Sequence, residues 1–235
     1  MILKGKSDNY ILDKEDANSF VNSKGKISTV FTGIRESDKQ QVVIKEINLK
    51  TSIESIDLLI KEGEFRFNHI NLVQTFDHVI IDSKLYIIRE YIAGIDLKNL
   101  ILSRKTRKKT STDFFLKCGI QVCDALEYLH QENTIHCDIK PSNIIVCKNS
   151  DNYDFNNPVI KLIDYGFSTD QSSKNKIFEK QTFALMYSPP EQLLKIYSLI
   201  NETSDIYSLG ITLYELITGK NPFYSENPLK IMTLQ

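Results

Sequence analysis

The spacing of hydrophobic residues in this chain changes once, near residue 90, and this change restricts the folds that the chain can adopt. Three earlier segments, 26–34, 41–47 and 84–89, are rich in β-branched and aromatic residues and are separated by polar turns, so we predict them as strands. Between the second and the third, apolar residues over 53–67 follow helical spacing and predict one helix. The first part of the chain is therefore expected to be a sheet with a single helix.

Helical periodicity dominates after that point. From Phe114 to Leu129, apolar residues recur three and four positions apart, which predicts a long amphipathic helix. A second helix is predicted over 203–218, where Gly219 provides a C-terminal stop. The pattern indicates an α+β protein in which a strand-rich N-terminal part precedes a mainly helical C-terminal part.

Charge and composition argue against several classes of function. The 29 basic and 30 acidic residues leave a formal charge of −1, so we expect neither a nucleic-acid partner nor a membrane partner. No run approaches the about 18 uninterrupted apolar residues of a membrane span, and the first residues lack the apolar stretch of a secretory signal. The four cysteines follow no CxxC spacing, which favours reduced thiols in the cytoplasm.

The most informative segment is IHCDIKPSNIIV over 135–146, which follows the long helix and precedes a short apolar strand. Its spacing of Asp138, Lys140 and Asn143 resembles the catalytic loop of protein kinases. The resemblance makes Asp138 the base beside the attacking hydroxyl, Lys140 a contact to the transferred phosphoryl group and Asn143 a metal ligand. It also implies ATP and Mg²⁺ as cofactors and a protein as substrate.

A second motif follows about twenty residues later. The segment KLIDYGFS over 161–168 resembles the Asp-Phe-Gly segment of the same family, with Tyr165 in place of phenylalanine. By this resemblance Asp164 holds Mg²⁺ beside the nucleotide phosphates, and Gly166 allows the turn that directs the carboxylate.

A third motif, VVIK at 42–45, resembles the strand that carries the nucleotide-binding lysine of protein kinases. Lys45 is therefore the third expected catalytic residue, and an inward lysine on an apolar strand needs a partner. Two glutamates of the predicted helix, Glu62 and Glu64, compete for this role, and we assign Glu62.

The same resemblance assigns residues around the nucleotide, although the phosphate-covering loop matches poorly. Only its middle glycine, Gly25, is present, and serines stand at the other two positions. Because glycines let backbone N–H groups approach phosphate oxygens, we expect weakened nucleotide binding. Val30 is expected to cover the base, and Val43 to lie against the adenine ring.

The connection between the two parts resembles the hinge of the family. Backbone groups of Glu90 and Ile92 are expected to pair with adenine, and Asp96 to meet the ribose. Arg89 falls at the gatekeeper position, which is usually apolar. A buried arginine there needs a partner, which the sequence does not identify.

Several later positions match the family or depart from it. The segment YSPPEQ over 187–192 resembles the Ala-Pro-Glu element, and Asp205 is expected to cap the backbone of the catalytic loop. Ala184 stands where the family usually has a threonine, with Thr182 two residues earlier. Cys137 replaces the arginine of His-Arg-Asp, which predicts a non-RD kinase whose activity does not require phosphorylation of the activation segment.

The resemblance implies a bilobal protein-kinase-like fold over 1–235. We expect an N-terminal antiparallel lobe at 1–90, a hinge at 91–94 and a partial, mainly helical C-terminal lobe at 95–235 that lacks its last helices. Without those helices, an apolar face that includes Leu209, Leu213 and Leu216 is expected to be partly exposed.

The expected function is ATP- and Mg²⁺-dependent phosphoryl transfer to Ser/Thr hydroxyls of protein substrates in signalling. Lys140 after Asp138 favours serine/threonine over tyrosine specificity. Further domains of a longer chain are a second expected class of partner. The alternative is a pseudokinase, or a kinase-shaped nucleotide-binding and interaction module, which the glycine-poor loop and Ala184 favour.

Overall fold

An antiparallel sheet and one helix make up the first of two units into which the chain divides, formed by Met1–Asn68 and Val73–Tyr91. The second unit comprises His69–Leu72 and Ile92–Gln235. The computed structural model describes these parts of the chain: 1–21, 27–50, 56–104, 111–150, 152–164, 169–170 and 184–234.

The sheet of the first unit has six strands in the order β1-β2-β3-β4-β6-β5, and every neighbouring pair is antiparallel. Its elements are β1 (Ile2–Lys4), β2 (Asn9–Val21), β3 (Ile27–Arg35), β4 (Gln41–Asn48), α1 (Ile56–Glu64), β5 (Thr75–Ile81) and β6 (Lys84–Glu90). The three predicted strands are confirmed as β3, β4 and β6, each with ends within one residue of the prediction. The other three were missed. In β2, charged residues and a register shift between Leu12 and Ala17 interrupt the alternation that marks a strand.

The first hairpin, β1–β2, is tied back to β5 and belongs to the core of the unit. The backbone N–H of Ser7 donates to Oδ2 of Asp77 at 2.8 Å, and a side chain on Gly5 would collide with the same carboxylate. The residues of the hairpin and the sheet share one apolar cluster: Leu3, Tyr10, Leu12, Phe31, Val42, Ile44, Tyr86 and Ile88.

Helix α1 packs on the sheet through an apolar residue and a close backbone approach. Leu59 is buried with Ile47, Leu85 and Ile87. One turn later, the carbonyl of Gly63 lies 3.0 Å from Nδ1 of His78, and a Cβ on this glycine would lie 2.7 Å from the Cβ of His78. A small residue is therefore needed where α1 meets β5.

The helix is shorter at its C-terminal end than predicted. It ends at Glu64, whereas the apolar spacing extended the prediction to Phe67. The Arg66 guanidinium donates to the carbonyls of Gly63 and Phe65, which satisfies acceptors that a helix end leaves open. The first residues of the predicted helix, 53–55, lie outside the described residues.

The second unit is mainly helical, with two small antiparallel sheets of order β10-β9-β7 and β11-β8. Its elements are β7 (Gly94–Asp96), α2 (Leu97–Arg104), α3 (Thr112–Gln131), β8 (Thr134–Ile135), a 3₁₀ turn (Pro141–Asn143), β9 (Ile144–Cys147), β10 (Ile160–Leu162), β11 (Thr169–Asp170), α4 (Pro190–Leu193), a second 3₁₀ turn (Tyr197–Leu199), α5 (Glu202–Thr218) and α6 (Pro228–Leu234). The predicted α+β class is confirmed.

Both long predicted helices are present as α3 and α5. The buried face of α3 has the predicted spacing and consists of Phe114, Cys118, Val122, Ala125, Leu126 and Leu129. Helix α5 starts with a capping box at Asn201 and ends at Gly219, whose φ of 72° is left-handed. Among the described residues, none of the helices combines the length and apolarity needed to cross a bilayer.

The expected partial exposure was wrong for Leu209 and Leu216, whereas Leu213 is partly exposed as expected. Leu209 and Leu216 are buried and Leu213 is half-buried, because α3 packs on this side of α5. Gly119 of α3 makes the close approach possible, since a Cβ there would lie 3.3 Å from Leu213. The exposed large apolar side chains of α5 are Ile206, Tyr214 and Ile217.

Candidate active site

The loop that carries Asp138 is held by one buried carboxylate from α5. The backbone N–H of His136 donates to Oδ2 of Asp205 at 2.9 Å, and that of Cys137 donates to Oδ1 at 2.8 Å. The predicted capping role of Asp205 is thereby confirmed. Its Oδ2 also lies 2.9 Å from Nε2 of His130, a contact that the sequence analysis missed. Cys137 has a φ of 64°, and a carboxylate that binds two successive N–H groups stabilises such a left-handed bend.

Two of the predicted side chains, Lys140 and Asn143, contact the Asp138 carboxylate. Lys140 Nζ lies 2.6 Å from Asp138 Oδ2, and Asn143 Nδ2 donates to the same oxygen at 3.0 Å. Asn143 Nδ2 also donates to the Asp138 carbonyl at 2.9 Å. Asp138 is buried, and these donors hold its carboxylate in one orientation. The arrangement can present a fixed, negatively charged base to a hydroxyl group.

His136, beside this carboxylate, is fully buried. Burial lowers its pKa, and this outweighs the opposing effect of the Asp205, Asp138 and Asp164 carboxylates. Its Nδ1 accepts a hydrogen bond from the backbone N–H of Asp138 at 3.3 Å, as a neutral imidazole can. His136 therefore supports the loop as an uncharged residue.

Asp164 follows β10 and is tied to the same loop through the chain. The N–H of the preceding residue, Ile163, donates to the Asn143 carbonyl at 2.9 Å. Asp164 itself is half-buried with a φ of 67°, a left-handed conformation that aspartate tolerates better than most residues. Tyr165 and Gly166 lie outside the described residues.

The donor set of Asn143 and Asp164 fits Mg²⁺. The Asn143 side chain donates to Asp138 through Nδ2, so Oδ1 is the atom that can face a cation. Asp164 adds a carboxylate. Mg²⁺ prefers oxygen ligands and takes one or two from protein while phosphates and water supply the others. The residues present therefore suit the metal that the sequence analysis expected.

In the first unit, the predicted nucleotide lysine has a carboxylate partner. Lys45 Nζ lies 2.8 Å from Oε1 of Glu62, which is buried, whereas Glu64 is exposed. The pairing that the sequence left open is thus Lys45 with Glu62. Arg89 at the gatekeeper position places Nη2 2.7 Å from the same oxygen. The sequence showed that this arginine needs a partner but not which one, because the partner lies 27 residues away.

The remaining residues assigned to the nucleotide have varied surroundings. Val30 and Val43 are half-buried on β3 and β4, and Val30 pairs across the strands with Lys45. Gly25 lies outside the described residues. Glu90, at the end of β6, donates its N–H to the Gln74 carbonyl at 2.9 Å.

Two further residues assigned to the nucleotide belong to the second unit. Ile92 is half-buried at its start. Asp96 caps α2, because its Oδ1 accepts from the Asn99 N–H at 2.8 Å and its Oδ2 accepts from the Asn99 side chain at 2.6 Å. This capping role was missed. Its signal in the sequence is an aspartate directly before the helix.

The Ala-Pro-Glu-like element is anchored by polar contacts. The Ala184 carbonyl accepts from the N–H groups of Tyr187 and Ser188 at 2.9 and 3.1 Å. Ser204 donates to Glu191 at 2.6 Å, and Tyr187 donates to Glu215 at 2.7 Å. Burial, together with the Glu215 carboxylate, raises the pKa of Tyr187. Thr182 lies outside the described residues.

Comparison with known proteins agrees with this geometry. The family model described as "Protein kinase domain" matches residues 23–235. The chain is 30% identical over 209 residues to the serine/threonine-protein kinase dkf-2 of Caenorhabditis briggsae, covering 87% of this chain and 17% of that protein. It is 29% identical over 208 residues to the serine/threonine-protein kinase ULK1 of Homo sapiens, covering 87% of this chain and 19% of that protein. A third relative, the probable serine/threonine-protein kinase nek3 of Dictyostelium discoideum, is 31% identical over 214 residues, covering 87% of this chain and 18% of that protein.

The chain thus spans about a fifth of the length of these curated relatives. The family model covers most of the chain and includes the Lys45, Asp138, Asn143 and Asp164 positions. The chain therefore belongs to the protein kinase family.

Proposed function

We propose that this chain transfers the γ-phosphate of ATP, with Mg²⁺, to serine or threonine hydroxyls of a protein substrate in signalling. The observation that supports this most directly is the buried Asp138 carboxylate with Lys140 and Asn143 on its Oδ2. An acceptor hydroxyl beside Asp138 would be oriented by the carboxylate and would give up its proton to it. Lys140, 2.6 Å from the same carboxylate, is close enough to contact the phosphoryl group as it arrives.

Charged residues are assigned to the nucleotide phosphates and to the metal ion. Lys45, held by Glu62, is proposed to contact the phosphates, and Asn143 and Asp164 would hold Mg²⁺. When bound, Mg²⁺ neutralises part of the charge that develops on the phosphate oxygens. Val30 and Val43, the backbone of Glu90 and Ile92, and Asp96 are proposed for the base and ribose. Gly25 is proposed for the phosphate-covering loop.

The non-RD character is part of the proposal. Cys137, in the place of the family's arginine, is 3% exposed and packs with Ile135 and Ile200. A buried thiol in an apolar cluster cannot bind a phosphate group as an arginine does. We therefore propose that activity does not require a phosphorylated activation segment. Phosphatase treatment should leave the rate within about twofold, and a loss of activity after it would contradict this proposal.

Serine/threonine specificity is proposed from Lys140 and from the three relatives, each of which is named as a serine/threonine-protein kinase. A cytoplasmic location is proposed because all four cysteines are free, as expected of a reducing compartment.

One observation favours the alternative, a pseudokinase. Ala184 stands where the family usually has a threonine and carries no hydroxyl for Asp138 or Lys140. It contributes only its carbonyl, which accepts from Tyr187 and Ser188. A chain of this kind would bind nucleotide without transferring phosphate.

The deciding experiment measures transfer of labelled γ-phosphate from Mg²⁺-ATP to the chain itself and to a generic basic protein. Asp138→Ala and Lys45→Ala are each expected to lower the rate by at least about 100-fold, the range found for general-base residues. Asp113→Ala is the matched control, because Asp113 is an exposed carboxylate of the same unit as Asp138. Transfer that survives both active-site substitutions, or ATP binding without transfer in the unaltered chain, would refute the proposed activity.

A further inference from the structure

Two cations converge on one carboxylate oxygen in the first unit. Glu62 Oε1 lies 2.8 Å from Lys45 Nζ and 2.7 Å from Arg89 Nη2. The side chains of Lys45, Arg89 and Glu62 are 18%, 8% and 2% exposed. We propose that Arg89 is a positioning residue, which holds Glu62 and therefore α1 on the sheet so that Lys45 keeps its partner. This inference rests on the proposed function, in which Lys45 contacts the nucleotide.

The strand register explains why the two cations need this glutamate. In the β4–β6 ladder Lys45 is opposite Ile87, and Arg89 is two residues further along β6. Lys45 and Arg89 are therefore diagonal neighbours on one face of the sheet. The Cβ atoms of such neighbours lie no more than about 7–8 Å apart. This face also holds the apolar cluster under α1, where screening by water is weak. The Glu62 carboxylate reduces the repulsion between the two cations.

The two cations differ in how firmly they hold the carboxylate. A guanidinium remains charged in proteins, whereas a buried ammonium can lose its proton. Arg89 is also the more buried of the two, so moving Glu62 away from it would break a buried ion pair. Glu62 therefore stays inward whether or not Lys45 is bound to it. Helix α1 should keep its place on the sheet when Lys45 binds a phosphate or is replaced.

The test combines hydrogen exchange of the α1 amides, measured without nucleotide, with kcat/KM for ATP. Both are measured on the full 235-residue chain. For Arg89→Met we expect exchange in α1 about tenfold faster. The same variant should lose about 10- to 100-fold in kcat/KM. This is the range found when a residue that orients a metal ligand by hydrogen bonding is replaced. Arg89→Lys should lie between Arg89→Met and the unaltered chain in both measurements, because a cation remains beside Glu62 without the planar fork. Lys45→Met should leave α1 exchange within about twofold, although it abolishes transfer.

Lys84→Met is the matched control. Lys84 is a cation of the same strand and pairs with Glu46 at 2.7 Å, but it is 40% exposed, so both measurements should stay within about twofold.

The proposal is overturned if Arg89→Met leaves α1 exchange unchanged, or if Lys45→Met accelerates it as much as Arg89→Met does. If Arg89→Met does not fold, Arg89→Gln replaces it, and unchanged exchange in that variant has the same meaning. An unaltered chain without transfer activity would refute the proposed function alone. Exchange requires no activity, so it would still decide the role of Arg89.

Discussion

Replacing Asp205 by alanine is the sharpest test of how the catalytic loop is held. The carboxylate is completely buried and accepts from the N–H groups of His136 and Cys137 at 2.9 and 2.8 Å. Alanine would leave two buried donors without this acceptor, and each unsatisfied donor costs about 1–3 kcal/mol. The free energy of unfolding should therefore fall by about 2–6 kcal/mol, a large part of the about 5–15 kcal/mol typical of a domain.

Asparagine at the same position should be milder than alanine. The asparagine side chain keeps one oxygen that can accept a backbone N–H. Its NH₂ group takes the place of the other oxygen, so a side-chain donor would face a backbone donor. The negative charge is also lost. Since hydrogen bonds to charged groups contribute about 1.5–3 kcal/mol, we expect a loss of about that size for Asp205→Asn. The rate of phosphoryl transfer should fall in both variants at temperatures where they remain folded, because Asp138 follows the two N–H groups directly along the chain.

Urea denaturation gives the free energy by linear extrapolation. Circular dichroism is the suitable signal, because the chain contains no tryptophan. Asp113→Ala is the control, since this carboxylate pairs with Lys117 while 64% exposed and should contribute only about 0.5 kcal/mol. A cost below about 1 kcal/mol for Asp205→Ala, or one no larger than that of the control, would refute the reasoning.

Two further substitutions test other parts of the structure. Because burial lowers the pKa of His136 from 6.5, only the unfolded chain takes up this proton as the pH falls below 6.5. The stability that His136 contributes is complete above that pH, and the free energy of unfolding should fall by up to about 1.4 kcal/mol per pH unit below it. His136→Gln should remove this slope in urea melts between pH 7.5 and 5, and an unchanged slope would contradict the assignment. Gly63→Ala should destabilise the chain by about 1–3 kcal/mol, because the new Cβ would lie 2.7 Å from the Cβ of His78. Gly210→Ala is its control. Beyond the neighbouring helix backbone, no atom lies within 4 Å of the new Cβ there, so the better helix former should stabilise α5 by about 0.5–1 kcal/mol. Equal effects at both sites would refute the packing argument.

Much of the fold could be predicted because its elements have strong local signals. Helix α5 has a left-handed glycine at its end, and β4 and β6 each contain a short apolar run, 42–44 and 85–88. Strand β2 has neither signal: its charged residues, 13–16, fall in a register shift between the residues that pair with β3, which only the assembled sheet shows. The end of α1 was misplaced because Phe65 and Phe67 continue the apolar spacing beyond the point where Arg66 caps the carbonyls.

The candidate site also contains some residues that the sequence predicts and some contacts that it does not. The cluster of Asp138, Lys140 and Asn143 lies within six residues, so its members could be named together from the sequence. The pairing of Glu62 with Arg89 depends on how α1 is rotated over the sheet, and no short motif records that rotation. The contact of His130 with Asp205 joins positions 75 residues apart, and it follows from how α3 packs on α5.

The first hairpin, β1–β2, restricts where the first unit of the chain can be truncated. The family model begins at residue 23, yet Leu3, Tyr10 and Leu12 before it are at most 4% exposed. A chain that started at residue 23 would lose both β1 and β2, so β3 would become an edge strand with unpaired N–H and C=O groups. Val42 and Ile44 of the neighbouring strand β4 would lose their cluster partners Leu3, Tyr10 and Leu12. Such a shortened chain should associate through that edge, so the part that folds is longer than the part by which the family is identified.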